Sequence, residues 1–451
     1  MTIIDPARDE LTPLREHASV ALPGDEAYDV GRQGFNVAVA QRPAAVAFPA
    51  DAAEVADVVR AARHAGLRVA GQSTGHNAGP LGDLTQTVLV RTAALDEVTI
   101  DPVRRIARVG AGVRWEAVVD AAAPHGLYPL HGSSPTVGVA GYSLGGGMGW
   151  LARSHGLQTN SLTALELVTA DGTLVRTDAD HDPELFWALR GGGGNFGIVT
   201  ALEFRLYEVT EVHAGFMVWD LAEAARVLPV YARWAVDAPE HVTTSLRLMR
   251  LPPLPEVPEP IRGRSIVIVD GAAQGDPAVL EPLRALAPEI DTFAPMPAPA
   301  LVRLHQDPEE PVPYASETAL IESLPQAAID RLLALTGPKS GSPLLVVELR
   351  QAGGALARRE PGHGAVGGID GQFVLFALGM ALDAEMGRFM AGHLRALKAG
   401  LAPWTGRGSY LNFAESKVDV ALAHGEDTLA RLRTVKRRLD PDGAIHANHA
   451  I

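Results

Sequence analysis

The sequence predicts an α+β chain of two domains, and three observations carry that prediction. Residues 44–210 hold short apolar runs that alternate with amphipathic helical stretches and are separated by glycine turns. After Tyr207 the composition shifts, and proline-punctuated connections at 251–255 and 295–299 frame a second set of helices and strands. The chain then ends on a helical stretch, 428–439, and the turn Asp440-Pro441-Asp442-Gly443. A length of 451 residues is ample for two domains, and 47% hydrophobic against 20% charged residues is ordinary globular composition.

In chain order, 51–64 reads as a helix and 67–70 as a short strand. Strands follow at 88–91, 106–109, 165–168 and 198–206, with helices at 115–123 and 183–189 between them. Ala170-Asp171-Gly172-Thr173 stands between two apolar runs and predicts a tight hairpin turn. Beyond Tyr207, helices are expected at 221–236 and 327–335, and strands at 265–269, 344–349 and 373–379.

Composition also excludes function classes. A net charge of −14 argues against nucleic-acid binding, which needs a basic surface. The chain has no cysteine, so disulfides, thiolate metal sites, iron–sulfur clusters and cysteine nucleophiles are absent. Residues 1–17 carry charges and no apolar segment of the leader type, and no uncharged run is long enough to span a membrane. The expectation is a soluble, cytoplasmic protein with no membrane partner. His446-Ala447-Asn448-His449 has helical ligand spacing but follows the terminal turn, so no metal is expected.

Three glycine-rich segments carry the chemistry. Gly192-Gly193-Gly194-Asn195-Phe196-Gly197 satisfies G-x-G-x-x-G. It follows a helix and precedes a strand, the reverse of the nicotinamide fingerprint, so it reads as a tight loop or as backbone touching a cofactor. Gly141-Tyr142-Ser143-Leu144-Gly145 satisfies G-x-S-x-G, the nucleophile turn of serine hydrolases. The segment leading into it is broken by Pro135 and Gly138, where such a turn needs a hydrophobic strand. The third signal is a pair of loops, 71–79 and 132–149. Glycine at that density costs entropy on folding, which implies a large ligand lying against the backbone. The first loop, with its small hydroxyls, is suited to cradling phosphate.

Ser73-Thr74-Gly75-His76-Asn77, the run Ser134-Pro135-Thr136-Val137-Gly138-Val139-Ala140-Gly141, residues 185–200, Tyr410-Leu411-Asn412-Phe413 and Asp440-Pro441-Asp442 followed by Asn448 occur in this order. With these, the chain resembles the berberine bridge enzyme-like branch of the FAD-linked oxidases, which have the vanillyl-alcohol oxidase fold. The resemblance implies a two-subdomain, PCMH-type FAD-binding domain formed by residues 1–207 and 405–451. It implies an α+β substrate domain with an antiparallel sheet at 208–404.

The resemblance also implies FAD as cofactor, bonded covalently through His76. Gly71, Gln72, Ser73, Thr74, Gly75, Asn77 and Gly79 would surround the pyrophosphate. Ser133, Ser134, Val137, Gly138, Val139, Gly141, Tyr142, Gly145, Gly146 and Gly147 would run along the ring and phosphates. Gly197, Ile198 and Val199 would add backbone contacts, and Asn412 would place the ring or Tyr410. Many relatives bear a second covalent link through a cysteine where this chain has Ser134. A hydroxyl cannot form that thioether, so a single link is the most this chain allows. That departure points away from bulky oligosaccharide substrates. A charged contact of many relatives before the histidine is also missing here, where Gln72 and Ser73 stand.

The implied reaction moves a hydride from a small alcohol or amine to flavin and passes the electrons to oxygen, giving hydrogen peroxide. Val139, next to the implied flavin C4a position, favours oxygen access. Tyr410 is the expected base or substrate-orienting phenol, and its pKa near 10 requires a neighbour to lower it. Glu348, Arg350 and Gln351 lie on one expected strand, with Glu348 and Arg350 on one face and Gln351 on the other. Glu348 and Gln351 are therefore both candidates, since the sequence does not say which face meets the flavin. A serine esterase acting through Ser143 and a flavin-binding protein without turnover are the competing readings. Oligomeric state is not legible.

Overall fold

Parallel strands need a crossover, and the helix at 52–64 supplies one near the start of the chain. The computed structural model describes residues 11–16, 18–255 and 257–451. The reading of 1–17 as free of an apolar leader therefore falls largely outside the described residues. A four-stranded sheet runs in the spatial order Ser19–Ala21, Ala45–Phe48, Thr87–Arg91 and Arg68–Gln72, the last three parallel. Ala52–His64 crosses between two of them. Asp51 caps that helix by accepting from the Ala53 and Glu54 N–H groups, and Val55, Val58, Val59 and Ala62 form its buried stripe.

A second, antiparallel sheet has the order Val98–Asp101, Ile106–Gly110, Ile198–Arg205, Leu162–Val168 and Leu174–Asp178. The predicted hairpin joins its last two strands. Asp171 accepts from the Thr169 hydroxyl and the Thr173 N–H, and Gly172 takes a φ of +79° that a side chain would resist. Trp115, Phe196, Phe204 and Leu165 are buried in one core with the side chains of both sheets. Helix Val139–Gly145 also joins that core, so the second glycine-rich loop is not irregular throughout.

The second half is built on an antiparallel eight-stranded sheet. Its order is Ile290–Asp291, Glu211–Asp220, Ser265–Ala273, Val242–Arg250, Val346–Gln351, Phe373–Met380 and Tyr314–Ile321, and Ala294–Pro297 also pairs with the second of these. Helices Ala224–Asp237, Gln326–Thr336 and Ala384–Leu401 share a buried core with Leu246, Leu248, Val347, Leu349, Leu375 and Ala377 of the sheet. The alternating residues Arg247, Glu348, Arg350 and Phe376 face a cavity on the other side. A slip of one residue in Val346–Gln351 would exchange these sets and drive Glu348 into the apolar core. This strand lies two residues beyond the predicted 344–349. An apolar run does not mark the end of a ladder whose polar residues, here Arg350 and Gln351, find buried partners of their own.

The C-terminal segment returns to the first half. The Val69 N–H donates to the Ala444 carbonyl and the His446 N–H to the Val69 carbonyl, both at 2.8 Å. Asn195 Nδ2 donates to the His449 carbonyl at 2.9 Å. Among the described residues no helix is long and apolar enough to cross a membrane, and no cluster of His, Asp and Glu could hold a metal ion.

Candidate active site

A cavity of about 730 Å³ separates the glycine-rich loops from the open face of the eight-stranded sheet. The first loop leaves strand Arg68–Gln72 and lines the cavity from Gly71 through Asn77. Phe35 stacks on the His76 ring, with centroids 3.9 Å apart and planes 18° apart. Burial brings the His76 imidazole down to about 4, against a backbone contact with Thr136 that favours the charged form. The ring is thus neutral at physiological pH, and its Nε2 has no hydrogen-bond partner.

Ser133, Ser134, Val137, Gly138, Gly141, Tyr142 and Gly145 form the next wall, and Gly197, Ile198 and Val199 lie beside them. Asn412 also lines the cavity and donates to the Tyr142 carbonyl at 2.9 Å. Both side-chain ends of Gln72, Asn77 Oδ1 and the Tyr142 hydroxyl are buried without partners. Such atoms mark places where a ligand completes the bonding. A Cβ at cavity-lining Gly141 or Gly194 would meet no protein atom and would occupy the cradle itself. A narrow cradle with unpaired polar atoms along it fits a dinucleotide with a pyrophosphate and a polar chain.

An FAD binding domain family matches residues 43–178. The (R)-6-hydroxynicotine oxidase of Paenarthrobacter nicotinovorans is 34% identical over 238 residues, 52% of this chain and 52% of that protein. The solved 6-hydroxy-D-nicotine oxidase of Arthrobacter nicotinovorans superposes with a TM-score of 0.84 at 26% identity, over 96% of this chain and 98% of the other. The wild-type BBE-like 1 protein of Physcomitrella patens superposes with a TM-score of 0.85 at 21% identity, over 99% and 98%. Residues 43–178 therefore carry an FAD-binding domain, and the whole chain shares the fold of these two proteins. Its match to the curated hydroxynicotine oxidase spans about half the length of that protein.

Within this fold the structure corrects several assignments. Gly79 packs against the Glu415 carbonyl, and Gly146 and Gly147 pack against the rings of Tyr410 and Tyr142, so none of the three lines the cavity. Val139 is fully buried in the core, because the helix starting there turns its side chain inward, and Ala140 lines the cavity in its place. The oxygen-access reading of Val139 therefore loses its geometric basis. Ser143 sits inside a helix rather than at a strand-to-helix turn. It is fully buried, and its hydroxyl has no partner, so nothing activates it as a nucleophile.

Two catalytic assignments change as well. Tyr410 belongs to an apolar cluster with Met148, Leu157, Leu320 and Val374 and does not line the cavity. Burial raises its phenol well above the ordinary value, although Arg350 and the Gly147 and Met148 backbone pull the other way. A phenol so held is a poor base. Gln351 points to the helical side, where it accepts from the Thr244 N–H and hydroxyl and donates to the Ala235 carbonyl at 2.6 Å. It is a structural residue.

Glu348 remains, and it is buried in the cavity wall. Burial alone would raise its carboxyl. The guanidinium of Arg350, 2.8 Å away, and His305, 3.6 Å away, outweigh that and hold it well below the ordinary range. Arg350 also lies over the Phe413 ring, 5.1 Å from its centroid. Met249, Leu251, Ile261, Ile268, Leu378 and Met380 make the neighbouring wall apolar.

Sequence reasoning missed Arg247, His305, Asp307, Tyr314 and Glu415, all of which line the cavity. No local motif marks them, and only alternation along Val242–Arg250 hinted at Arg247. Glu415 accepts from the Tyr314 hydroxyl at 2.8 Å and from Asn36 Nδ2 at 3.2 Å. Burial pushes its carboxyl up to about 7, against these bonds and one from Ser316. A carboxyl raised on folding contributes stability that is present below its unfolded pKa, about 4.3, and is lost as pH rises through about 7. Glu415→Gln keeps an acceptor for Tyr314 and removes the buried charge. In thermal melts of the FAD-free protein, the variant is expected to match the wild type at pH 4 to 4.5. It should gain on it by pH 8, by about 3 kcal/mol.

Proposed function

We propose that this protein oxidises a small, largely apolar alcohol or amine, using FAD linked through His76 alone and dioxygen as electron acceptor. The observation that carries this reading is a buried carboxylate, Glu348, facing a cavity whose other wall is the glycine-rich FAD cradle. The flavin, when bound, supplies the hydride acceptor.

The chain supplies the rest. Glu348 takes the hydroxyl or amine proton of the substrate as its C–H hydride departs, leaving a carbonyl or imine product. Arg350 and His305 keep Glu348 unprotonated and fixed in the wall, while lowering its intrinsic basicity. The apolar wall excludes water and prefers an aliphatic or aromatic body to a polyhydroxylated one. His76, neutral and stacked on Phe35, is suited to forming the covalent bond. Ser134 offers no second one.

The purified protein should be yellow and release peroxide with some members of a panel of aromatic and aliphatic secondary alcohols and amines, but not with oligosaccharides. Bound flavin that bleaches anaerobically with sugars alone would overturn the substrate reading. Flavin that bleaches with no member of a broad panel would favour a binding protein without turnover.

A further inference from the structure

We propose that Asp270, behind the cavity wall, and His305, within it, form a charge pair that sets the ionisation of Glu348 and the position of Arg350, making both of them positioning residues. The proposal deepens the reading of Glu348 as the base.

The sheet brings these groups together by register. Ser245 is paired with Asp270 on one side and with Arg350 on the other, and Arg247 is opposite Glu348. Asp270 is fully buried, and its Oδ2 receives both Arg247 Nη2 at 2.6 Å and His305 Nδ1 at 2.7 Å. His305 is itself buried and arrives from outside the sheet, just after the helical turn Ala298–Arg303. Its far nitrogen, Nε2, lies 3.6 Å from Glu348 Oε1, 3.4 Å from Arg350 Nη2 and 3.9 Å from Asp307 Oδ1. Ser245 donates to Glu348 at 2.7 Å, and Ser133 of the opposite wall donates to Asp307 at 3.1 Å.

Arg247 alone would neutralise Asp270, so a second cation on the same oxygen needs another reason. Burying a further charge is costly unless it is repaid nearby. The repayment lies on the far edge of the imidazole, where the carboxylates of Glu348 and Asp307 outnumber the one cation, Arg350. Burial and Arg247 pull the imidazole down, but Asp270, Asp307 and Glu348 outweigh them and raise it to about 9. Three cations (Arg247, Arg350 and the imidazolium) then face three carboxylates. Tyr142 and Tyr410 approach Arg350 from the loop side, and Tyr231 approaches Asp270 and Glu348 from the helical side; all three phenols are buried and uncharged. The reacting end of the substrate therefore meets a floor without net charge, suited to a neutral hydroxyl or amine rather than a carboxylate.

The test is carboxyl and imidazole NMR on the FAD-loaded protein, labelled with ¹³C in glutamate side chains and in histidine rings. The Glu348 and His305 signals are assigned by their loss in Glu348→Gln and His305→Asn. In the wild type, Glu348 should stay ionised below the ordinary glutamate midpoint of about 4.3, and His305 should remain an imidazolium at pH 7.5. Asp270→Asn and His305→Asn should each raise the Glu348 midpoint by about one unit or more. An unchanged midpoint in either folded variant, with flavin content and melting temperature as the check on folding, overturns the proposal. If neither variant folds, the wild-type titration decides: a neutral His305 at pH 7.5 overturns it, and an imidazolium supports it. These readings do not depend on turnover, so they stand apart from the question of whether Glu348 is the base.

Discussion

His76→Ala is expected to leave no covalent flavin at all. Acid-precipitated variant should form a colourless pellet with all of its FAD in the supernatant, whereas the wild-type pellet should stay yellow. The effect is complete because the chain has no cysteine, and Ser134 cannot form a second link. The variant should still take up FAD reversibly, because the cradle of Gly71–Gly75, Gly138 and Gly141 is made by other residues. Removing the ring also frees the face of Phe35 that it covers. A flavin-fluorescent band that survives denaturing electrophoresis of His76→Ala would contradict the assignment of the link.

Glu348→Gln is expected to slow flavin reduction by about 10²–10⁴-fold, the range over which a positioned base acts. The substitution keeps nearly the same volume and an acceptor for Ser245 and Arg350, so the cavity should keep its shape. It removes one of the three carboxylates and leaves Arg350 and His305 in excess, and breaking such a buried pairing costs about 3–5 kcal/mol. The variant should melt earlier than the wild type, most clearly at low salt. Anaerobic stopped-flow reduction of the variants separates the roles. Tyr410→Phe should reduce at nearly the wild-type rate, because its hydroxyl does not line the cavity. A Tyr410→Phe variant as slow as Glu348→Gln would return the base to the phenol.

Much of this site was legible beforehand, for a physical reason. A backbone that touches a large ligand needs residues without side chains, and the resulting glycine density in 71–79, 132–149 and 191–197 is visible without coordinates. The helix at 52–64 and the hairpin at Asp171–Gly172 were legible because a 3.6-residue period and an Asp-Gly turn are local properties. Tyr410 and Val139 were misplaced because each belongs to a motif with a backbone position near the site. Whether a side chain enters the cavity or the core is decided by the packing of the loop that carries it. Gln351 and Glu348 were indistinguishable because alternation separates two faces without saying which is covered by helices.

The sequence by itself determined the cofactor class and its upper limit of one covalent tether. The glycine loops imply a large ligand against the backbone, the resemblance implies that it is FAD held through His76, and the absence of cysteine rules out a second, thioether link. Only the tertiary structure decided the chemistry of the opposite wall. Asp270, His305 and Glu348 are separated in sequence by 35 and 43 positions, and Arg247 precedes them all. They meet because strand order and register set Ser265–Ala273, Val242–Arg250 and Val346–Gln351 side by side, with the 304–307 segment laid across them. A charge is ionised or neutral according to what surrounds it, and those surroundings exist only once the sheet has formed.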